Sequence, residues 1–310
     1  MATQHQPVLT KEVVRFLHPE KNQNFIDGTV GGGGHAEAIL ELIWPKGRLL
    51  GLDWDRQAIE RTKKRLVRFG KRALLVAASY NRLKEIVYEK KFFQVSGIML
   101  DLGFSSDQLQ DSGRGFSFQT NEPLDMRYSP EENALTAAEI VNTWSEEEIK
   151  AMLIRNAEEK YASKVSKAIV NYRHERKIES TLTLVSIIVN CLPRGRNKIH
   201  PATKTFQALR IEVNNELANL SAVLPDLVEI MNPGCRLAII TFHSLEDRIV
   251  KQYFKKASSG CLCPPEIPVC RCQHEAQVKL ITKKPICPCA TEVAQNFRSR
   301  SAKLRVVEKI

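Results

Sequence analysis

Four consecutive glycines, Gly31 to Gly34, separate a short apolar run, Phe25-Ile26, from a helical pattern over Ala36 to Ile43. A polyglycine turn between strand and helix confines the chain to folds in which the backbone reverses sharply at a sheet edge and approaches a ligand closely. The full stretch reads Asp27-Gly-Thr-Val-Gly-Gly-Gly-Gly-His35, and the helix after it presents N–H groups at its start. Asp53 stands 19 residues beyond Gly34, closing a second apolar run, Arg48 to Asp53. A carboxylate there accepts hydrogen bonds from ribose hydroxyls. A turn serving packing alone needs neither four glycines nor an acid at that spacing, so a nucleoside cofactor is favoured. The glycines by themselves do not separate a methyl donor from nicotinamide or flavin.

Two further apolar runs, Arg72 to Ala77 and Val95 to Leu100, alternate with helical patterns over Arg56 to Phe69 and Asn81 to Lys90. This βαβα order predicts a parallel, doubly wound α/β sheet. After Asp101 the rhythm stops, and Ser105 to Asn133 reads as loop. Helical patterns follow: Ser145-Glu-Glu-Glu148 has the form of a capping box, Tyr161, Val165, Ile169 and Tyr172 share a face, and a third segment runs from Thr181 to Pro193. The strand pattern returns only at Cys235 to Phe242. The reading is a discontinuous sheet domain, 1–132 and 200–310, interrupted by an inserted helical domain over 133–199. Beyond His200, Phe206, Leu209, Val213, Leu217, Leu220 and Leu224 recur at three and four and predict the buried face of one helix.

At 310 residues the chain is long enough for a full core and a second module. Its start lacks a secretory pattern, and no apolar run reaches the roughly 20 residues of a membrane span. A cytoplasmic protein without membrane association is expected. The net charge of +11 points toward a polyanion. Residues 271–310 hold nine Lys and Arg against three Glu, more than half of that surplus.

At the level of ordered motifs the chain resembles the bacterial 16S ribosomal RNA cytosine-N4 methyltransferases, the RsmH or MraW family. The carriers are His5-Gln-Pro-Val-Leu9, the Asp27 to His35 stretch, Leu100-Asp-Leu-Gly-Phe-Ser-Ser-Asp-Gln-Leu109, Arg114-Gly-Phe-Ser-Phe118, Pro123-Leu-Asp-Met-Arg127, His200 to Arg210, Phe242-His-Ser-Leu-Glu-Asp-Arg248 and Arg298 to Arg305. The resemblance spans nearly the whole length. It departs at Asn156-Ala-Glu-Glu159, where the family has Tyr-Gly-Glu-Glu, and at Asn296-Phe-Arg298, where it has Asn-Pro-Arg. It implies a class I S-adenosylmethionine-dependent methyltransferase fold, Rossmann-like, with an inserted helical substrate-recognition domain. The substrate it implies is one cytosine in the decoding region of 16S rRNA, within the small ribosomal subunit, and it leaves room for a homodimer. By motif, Gly33, Gly34, His35, Asp53, Tyr80, Asp101 and Gln108 are expected to contact S-adenosylmethionine.

The residues themselves extend this reading. Methyl transfer needs alignment more than a nucleophilic side chain, and a cytosine amino group needs acceptors for its hydrogens. Asp101, at the carboxyl end of the fourth strand, is placed for that role or for the cofactor. His243 ends an apolar strand at the same edge and is read as a second catalytic or substrate contact. Ser244 and Asp247 read as a reciprocal helix cap. Asp125 and Arg127 form either a substrate clamp or an ion pair ordering the loop. Lys204, Gln207, Arg210 and Asn214 make a polar stripe that either meets RNA or faces solvent, and Arg298 and Arg300 are candidate phosphate contacts.

Cys261, Cys263, Cys270, Cys272, Cys287 and Cys289 form three Cys-x-Cys pairs with the chemistry for a thiolate zinc site. Their spacing is tighter than usual, and reduced thiols in a proline-rich loop, with no metal ligand, are the expectation. Two rival functions stay open on sequence alone: a nicotinamide-dependent oxidoreductase on the same glycines, and a non-catalytic RNA-binding or ribosome-assembly factor.

Overall fold

The computed structural model describes residues 7–103, 113–193, 200–264, 269 and 271–310. The chain divides into two compact units, one made of residues up to Gly103 and from Leu217 onward, the other of Phe104–Glu216.

The first unit is built on a seven-stranded sheet: β1 (Asn24–Asp27), β2 (Leu49–Asp53), β3 (Ala73–Ala77), β4 (Val95–Asp101), β5 (Arg236–Thr241), β6 (Val278–Leu280) and β7 (Lys303–Lys309). Their order across the sheet is β3-β2-β1-β4-β5-β7-β6. The first five strands run parallel, with Phe25 opposite Leu49, Ile26 opposite Ile98 and Asp101 opposite Ile240. β7 is antiparallel to β5 and β6. Because the chain leaves β1 toward β2 on one side and returns with β4 on the other, the β1–β4 boundary is a switch point, where open α/β sheets bind ligands beyond their carboxyl ends.

Strand side chains alternate between the two faces, and both faces are covered. Ile26, Leu50, Ile98, Leu100, Leu237 and Ile239 pack with Leu83 and Ile86 of α4 (Leu83–Glu89), Leu220 and Leu224 of α10 (Glu216–Ile230), and Val250 and Phe254 of α11 (Ser244–Ala257). Phe25, Leu49, Met99, Ala238, Ile240 and Leu304 pack on the other face with Val13 of α1 (Thr10–Leu17), Ile39 of α2 (Gly34–Leu42) and Ile59 of α3 (Arg56–Arg65). The pattern expected over Arg56 to Phe69 is shorter as an α-helix, ending at Arg65 before a 3-10 segment, Val67–Arg72, in which Gly70 turns to φ 53°.

The second unit is helical: α5 (Ala137–Thr143), α6 (Glu146–Ala157), α7 (Ala162–Glu175), α8 (Thr181–Cys191) and α9 (Thr203–Asn214). The Ser145–Glu148 capping box forms as expected, each side chain meeting the other's backbone N–H. Thr136 and Ser180 cap α5 and α8 in one direction only, each side chain accepting from the backbone N–H three residues on. Ile140, Met152, Val165, Ile169, Leu184 and Leu209 are among its core residues.

This unit is wider than the expected 133–199 on both sides. Phe116, Leu124 and Met126 lie in the aperiodic loop yet are buried in the helical core, as are Phe206, Leu209 and Val213 of α9. The single helix expected beyond His200 is two. Asn215 takes a left-handed conformation, φ 52°, tolerated by asparagine, and ends α9. The apolar face before the break belongs to the helical core, and Leu220 and Leu224 after it belong to the sheet.

Candidate functional site

The carboxyl ends of β1, β2 and β4 bring together an acidic, largely buried set of side chains. Asp27 closes β1 and is fully buried; its Oδ1 accepts from Thr29 N at 3.1 Å. Burial pushes its pKa from 3.8 up to about 7, with Asp101 and Asp53 adding to the rise and His35 and the Thr29 N–H opposing it. Thr29 turns its hydroxyl oxygen to Asp101 N, 2.6 Å away, which ties the end of β4 to the glycine turn.

The turn is held from all sides. Gly31 and Gly33 take positive φ, 49° and 78°, a conformation that costs glycine nothing. A Cβ on Gly33 would stand 2.9 Å from Thr62 Cγ2. Asp53 Oδ2 accepts from Gly31 N at 2.9 Å, and its Oδ1 accepts from Asp55 N at 2.8 Å. From α3, the Thr62 hydroxyl donates to Gly31 O, and Arg65 donates to Gly32 O at 2.9 Å while pairing with Glu37. Gly33 is the N-cap of α2, so the turn delivers the chain to a helix start. Asp53, expected to meet ribose hydroxyls, already supports the turn through both oxygens, and each keeps a second lone pair. Burial raises its pKa to about 6, against the lowering effect of the Asp55 and Gly31 N–H groups.

His35 and Asp101 carry the unmet demand. His35 Nε2 lies 3.5 Å from Asp101 Oδ2 without hydrogen-bond alignment. Among the described residues, neither His35 ring nitrogen nor Asp101 Oδ1 has a hydrogen-bond partner, although all three atoms are buried. Buried polar atoms normally find partners, so these atoms are candidates to pair with the polar groups of a ligand. Tyr80 heads the 3-10 turn after β3; its Cβ would lie 3.6 Å from a Cβ on Gly28, which places it beside the same strand ends. Gln108 lies outside the described residues.

A cluster of three carboxylates at a glycine turn suits a cationic ligand and opposes the pyrophosphate of a nicotinamide dinucleotide. S-adenosylmethionine fits. Its sulfonium and ammonium would meet negative charge, Asp53 would offer spare lone pairs to its ribose hydroxyls, and the unpartnered Asp101 oxygen and His35 nitrogens would pair with its polar groups.

His243 follows β5, the strand beside β4, at the same edge of the sheet. His243 is the N-cap of α11: its Nδ1 accepts from Glu246 N at 3.4 Å, and Glu246 reaches back to Phe242 N and His243 N. The reciprocal cap is therefore His243–Glu246 and not Ser244–Asp247, since the helix starts one residue earlier than expected and both pairs have the same spacing. Asp247 instead pairs with Arg305 at 2.7 Å and Lys303 at 3.4 Å.

In the helical unit Asp125 and Arg127 form a two-pronged ion pair at 2.7 and 2.8 Å, and Arg127 also donates to the carbonyls of Pro130 and Asn133, which is loop ordering. The polar stripe is engaged internally. Lys204 donates to Glu158 O and Gln207 to Asn156 O, closing the carboxyl end of α6, while Arg210 is buried in a two-pronged pair with Glu216. Asn214 bridges Met126 O and Tyr128 N. Arg298 and Arg300 are exposed on a 3-10 turn, Phe297–Ser301; the Arg300 guanidinium lies 4.5 Å above the ring of Phe297, itself 66% exposed.

Sequence reasoning gave no role to Asp27, Thr29, Thr62 or Arg65. An acid closing an otherwise apolar strand was a readable signal for Asp27. The α3 pair carried none, because its carbonyl partners are fixed only by tertiary packing.

Residues 2–310 match the MraW methylase family. The chain is 47% identical over 308 residues to "Ribosomal RNA small subunit methyltransferase H" of Syntrophus aciditrophicus, covering 99% of this chain and 98% of that one. It is 45% identical to the protein of that name from Thermomicrobium roseum, covering 100% and 95%. Among solved structures, a putative rRNA-methylase from Clostridium thermocellum is similar at 12% identity with a TM-score of 0.44, covering 99% of this chain and 100% of that one. The chain belongs to the MraW methylase family, and with it to the S-adenosylmethionine-dependent methyltransferases of the class I fold.

Proposed function

We propose that the protein methylates the N4 amino group of one cytosine in the decoding region of 16S rRNA, acting on the small ribosomal subunit. The ribosomal substrate is supported by the names of full-length relatives at 42–47% identity. The observation that carries the base and the atom is Asp101 Oδ1, a buried acceptor with no partner among the described residues, at the switch-point end of β4.

When bound, S-adenosylmethionine supplies a methyl group on a positively charged sulfur that leaves as a neutral thioether. The chain's residues do the rest. The cytosine amino lone pair is delocalised into the ring, and an acceptor for its N–H lets the nitrogen become tetrahedral as it takes the methyl. Asp101 Oδ1 is that acceptor and receives the proton N4 gives up; Thr29, bonded to the Asp101 backbone, fixes its position. The supported glycine turn holds the cofactor rigidly, so alignment supplies much of the rate. The helical unit is the substrate-recognition domain, and Arg298, Arg300 and the exposed ring of Phe297 form a phosphate and base contact.

The test is incubation with methyl-labelled S-adenosylmethionine and small subunits lacking the mark, followed by digestion to nucleosides. Label in N4-methylcytidine is expected, and label in any other nucleoside overturns the assignment. Asp101→Ala is expected to cut the single-turnover rate at saturating cofactor by about 100-fold or more. An unchanged rate removes Asp101 from the chemistry.

A further inference from the structure

The segment joining α11 to β6 is closed at its base: Gln277 N donates to Ala257 O at 2.8 Å, and His274 Nε2 lies 3.0 Å from Lys256 O. Beyond that base, three cysteines that belong to no part of the methyl-transfer site come together. The sulfur atoms of Cys261, Cys263 and Cys272 all lie within 4.8 Å of one another, with Cys261 and Cys272 3.8 Å apart. That separation is far beyond a disulfide bond of about 2.05 Å. It matches the edge of a tetrahedron of thiolates around zinc, about 3.8 Å for zinc–sulfur bonds of about 2.3 Å.

Backbone N–H groups point at all three sulfurs. Leu262 N donates to Cys272 Sγ at 3.2 Å, Arg271 N to Cys263 Sγ at 3.3 Å, and Cys263 N to Cys261 Sγ at 3.4 Å. Such donors stabilise the thiolate form and orient its lone pairs, as outer partners of a metal ligand do. A disulfide between Cys261 and Cys272 would leave Cys263 and its Arg271 donor without purpose. Cys287 and Cys289 are not in the cluster, and Cys270 lies outside the described residues.

We infer that Cys261, Cys263 and Cys272 bind a zinc ion that staples the loop between α11 and β6. Zinc is the fit because three soft thiolates favour it over hard cations, and one tetrahedral position is left for a further donor. The role is structural. α11 starts at the carboxyl edge of the sheet and runs 14 residues to the loop, about 20 Å at 1.5 Å per residue, so the ion sits far from the methyl-transfer chemistry. Bound zinc also removes exposed thiolates from oxidation.

The test uses the full-length protein, expressed with zinc in the medium and purified under reducing conditions without chelator. Native mass spectrometry and elemental analysis are expected to give one zinc per chain. Cys263→Ser and Cys272→Ser are expected to lose it, while Cys287→Ser keeps it. Cobalt substitution is expected to give the sulfur-to-cobalt charge-transfer band of a thiolate site, diminished in Cys263→Ser. Binding of S-adenosylmethionine by Cys263→Ser verifies that the variant is folded. Less than a tenth of a zinc per chain in the wild type overturns the inference. So does a Cys261–Cys272 disulfide in peptide maps of the freshly alkylated protein, or loss of zinc from Cys287→Ser alone.

Discussion

Affinity for S-adenosylmethionine is expected to rise about twentyfold between pH 6 and pH 8, because two buried carboxyls must ionise to receive a cation. In the ligand-free protein burial holds Asp27 at about 7 and Asp53 at about 6. Both values are raised, so at pH 6 Asp27 is mostly protonated and Asp53 half so. A sulfonium and an ammonium nearby favour the charged forms, and binding therefore releases protons. At pH 6 the dissociation constant is weakened about elevenfold by Asp27 and about twofold by Asp53; by pH 8 both penalties have all but gone. The product is about 1.8 kcal/mol of binding free energy. Isothermal titration calorimetry at pH 6, 7 and 8, in two buffers of different ionisation enthalpy, measures the affinity and counts the protons. Asp27→Asn is expected to leave only the twofold part, and S-adenosylhomocysteine, whose sulfur is uncharged, to show a shallower rise. An affinity constant within twofold across this range, or an equal slope in Asp27→Asn, refutes the reasoning.

Two further outcomes follow from ion pairs and exposed cations. Burial pushes the Asp247 pKa up, but pairing with Arg305 and Lys303 more than offsets it and holds the carboxylate below its usual range. Asp247→Ala strands Arg305, which is 7% exposed, and is expected to cost about 3–5 kcal/mol in urea denaturation, with Asp247→Leu/Arg305→Met recovering most of it. Equal losses in the single and double variants would refute the pairing argument. Arg298→Ala with Arg300→Ala is expected to weaken binding to small-subunit RNA and to reduce the slope of log affinity against log salt by about 1.5, two phosphates' worth. An unaltered slope removes this turn from the interface.

The sheet was legible because periodicity and motif agreed. Four apolar runs alternated with helical patterns, and the glycines with Asp53 marked the strand ends where the candidate site lies. Residues whose partners come from distant sequence were not legible. Phe116, Leu124 and Met126 have no periodicity, so nothing in the sequence tied their loop to the helical core, and the unit was drawn too narrow. The face from Phe206 to Leu224 keeps helical spacing across Asn215, so a break made by one left-handed residue left the pattern intact. His243 and Ser244 each have an acid three residues on, and local spacing gave no way to choose between the two caps. The stripe of Lys204, Gln207 and Arg210 resembled a surface for RNA because its acceptors, the carbonyls at the end of α6 and Glu216, are brought there by folding. Asp27 and Asp53 were visible as acids, but their raised pKa values depend on burial that only the packed sheet creates.

The most direct measurement is a crystal structure of the protein with S-adenosylhomocysteine. Nucleoside density at the carboxyl ends of β1 and β2, against Gly31 to Gly34, with its ribose hydroxyls on Asp53 and polar contacts to Asp101 or His35, is the predicted result. A ligand bound elsewhere, with the glycine turn and the Asp101 carboxylate untouched, would contradict the account.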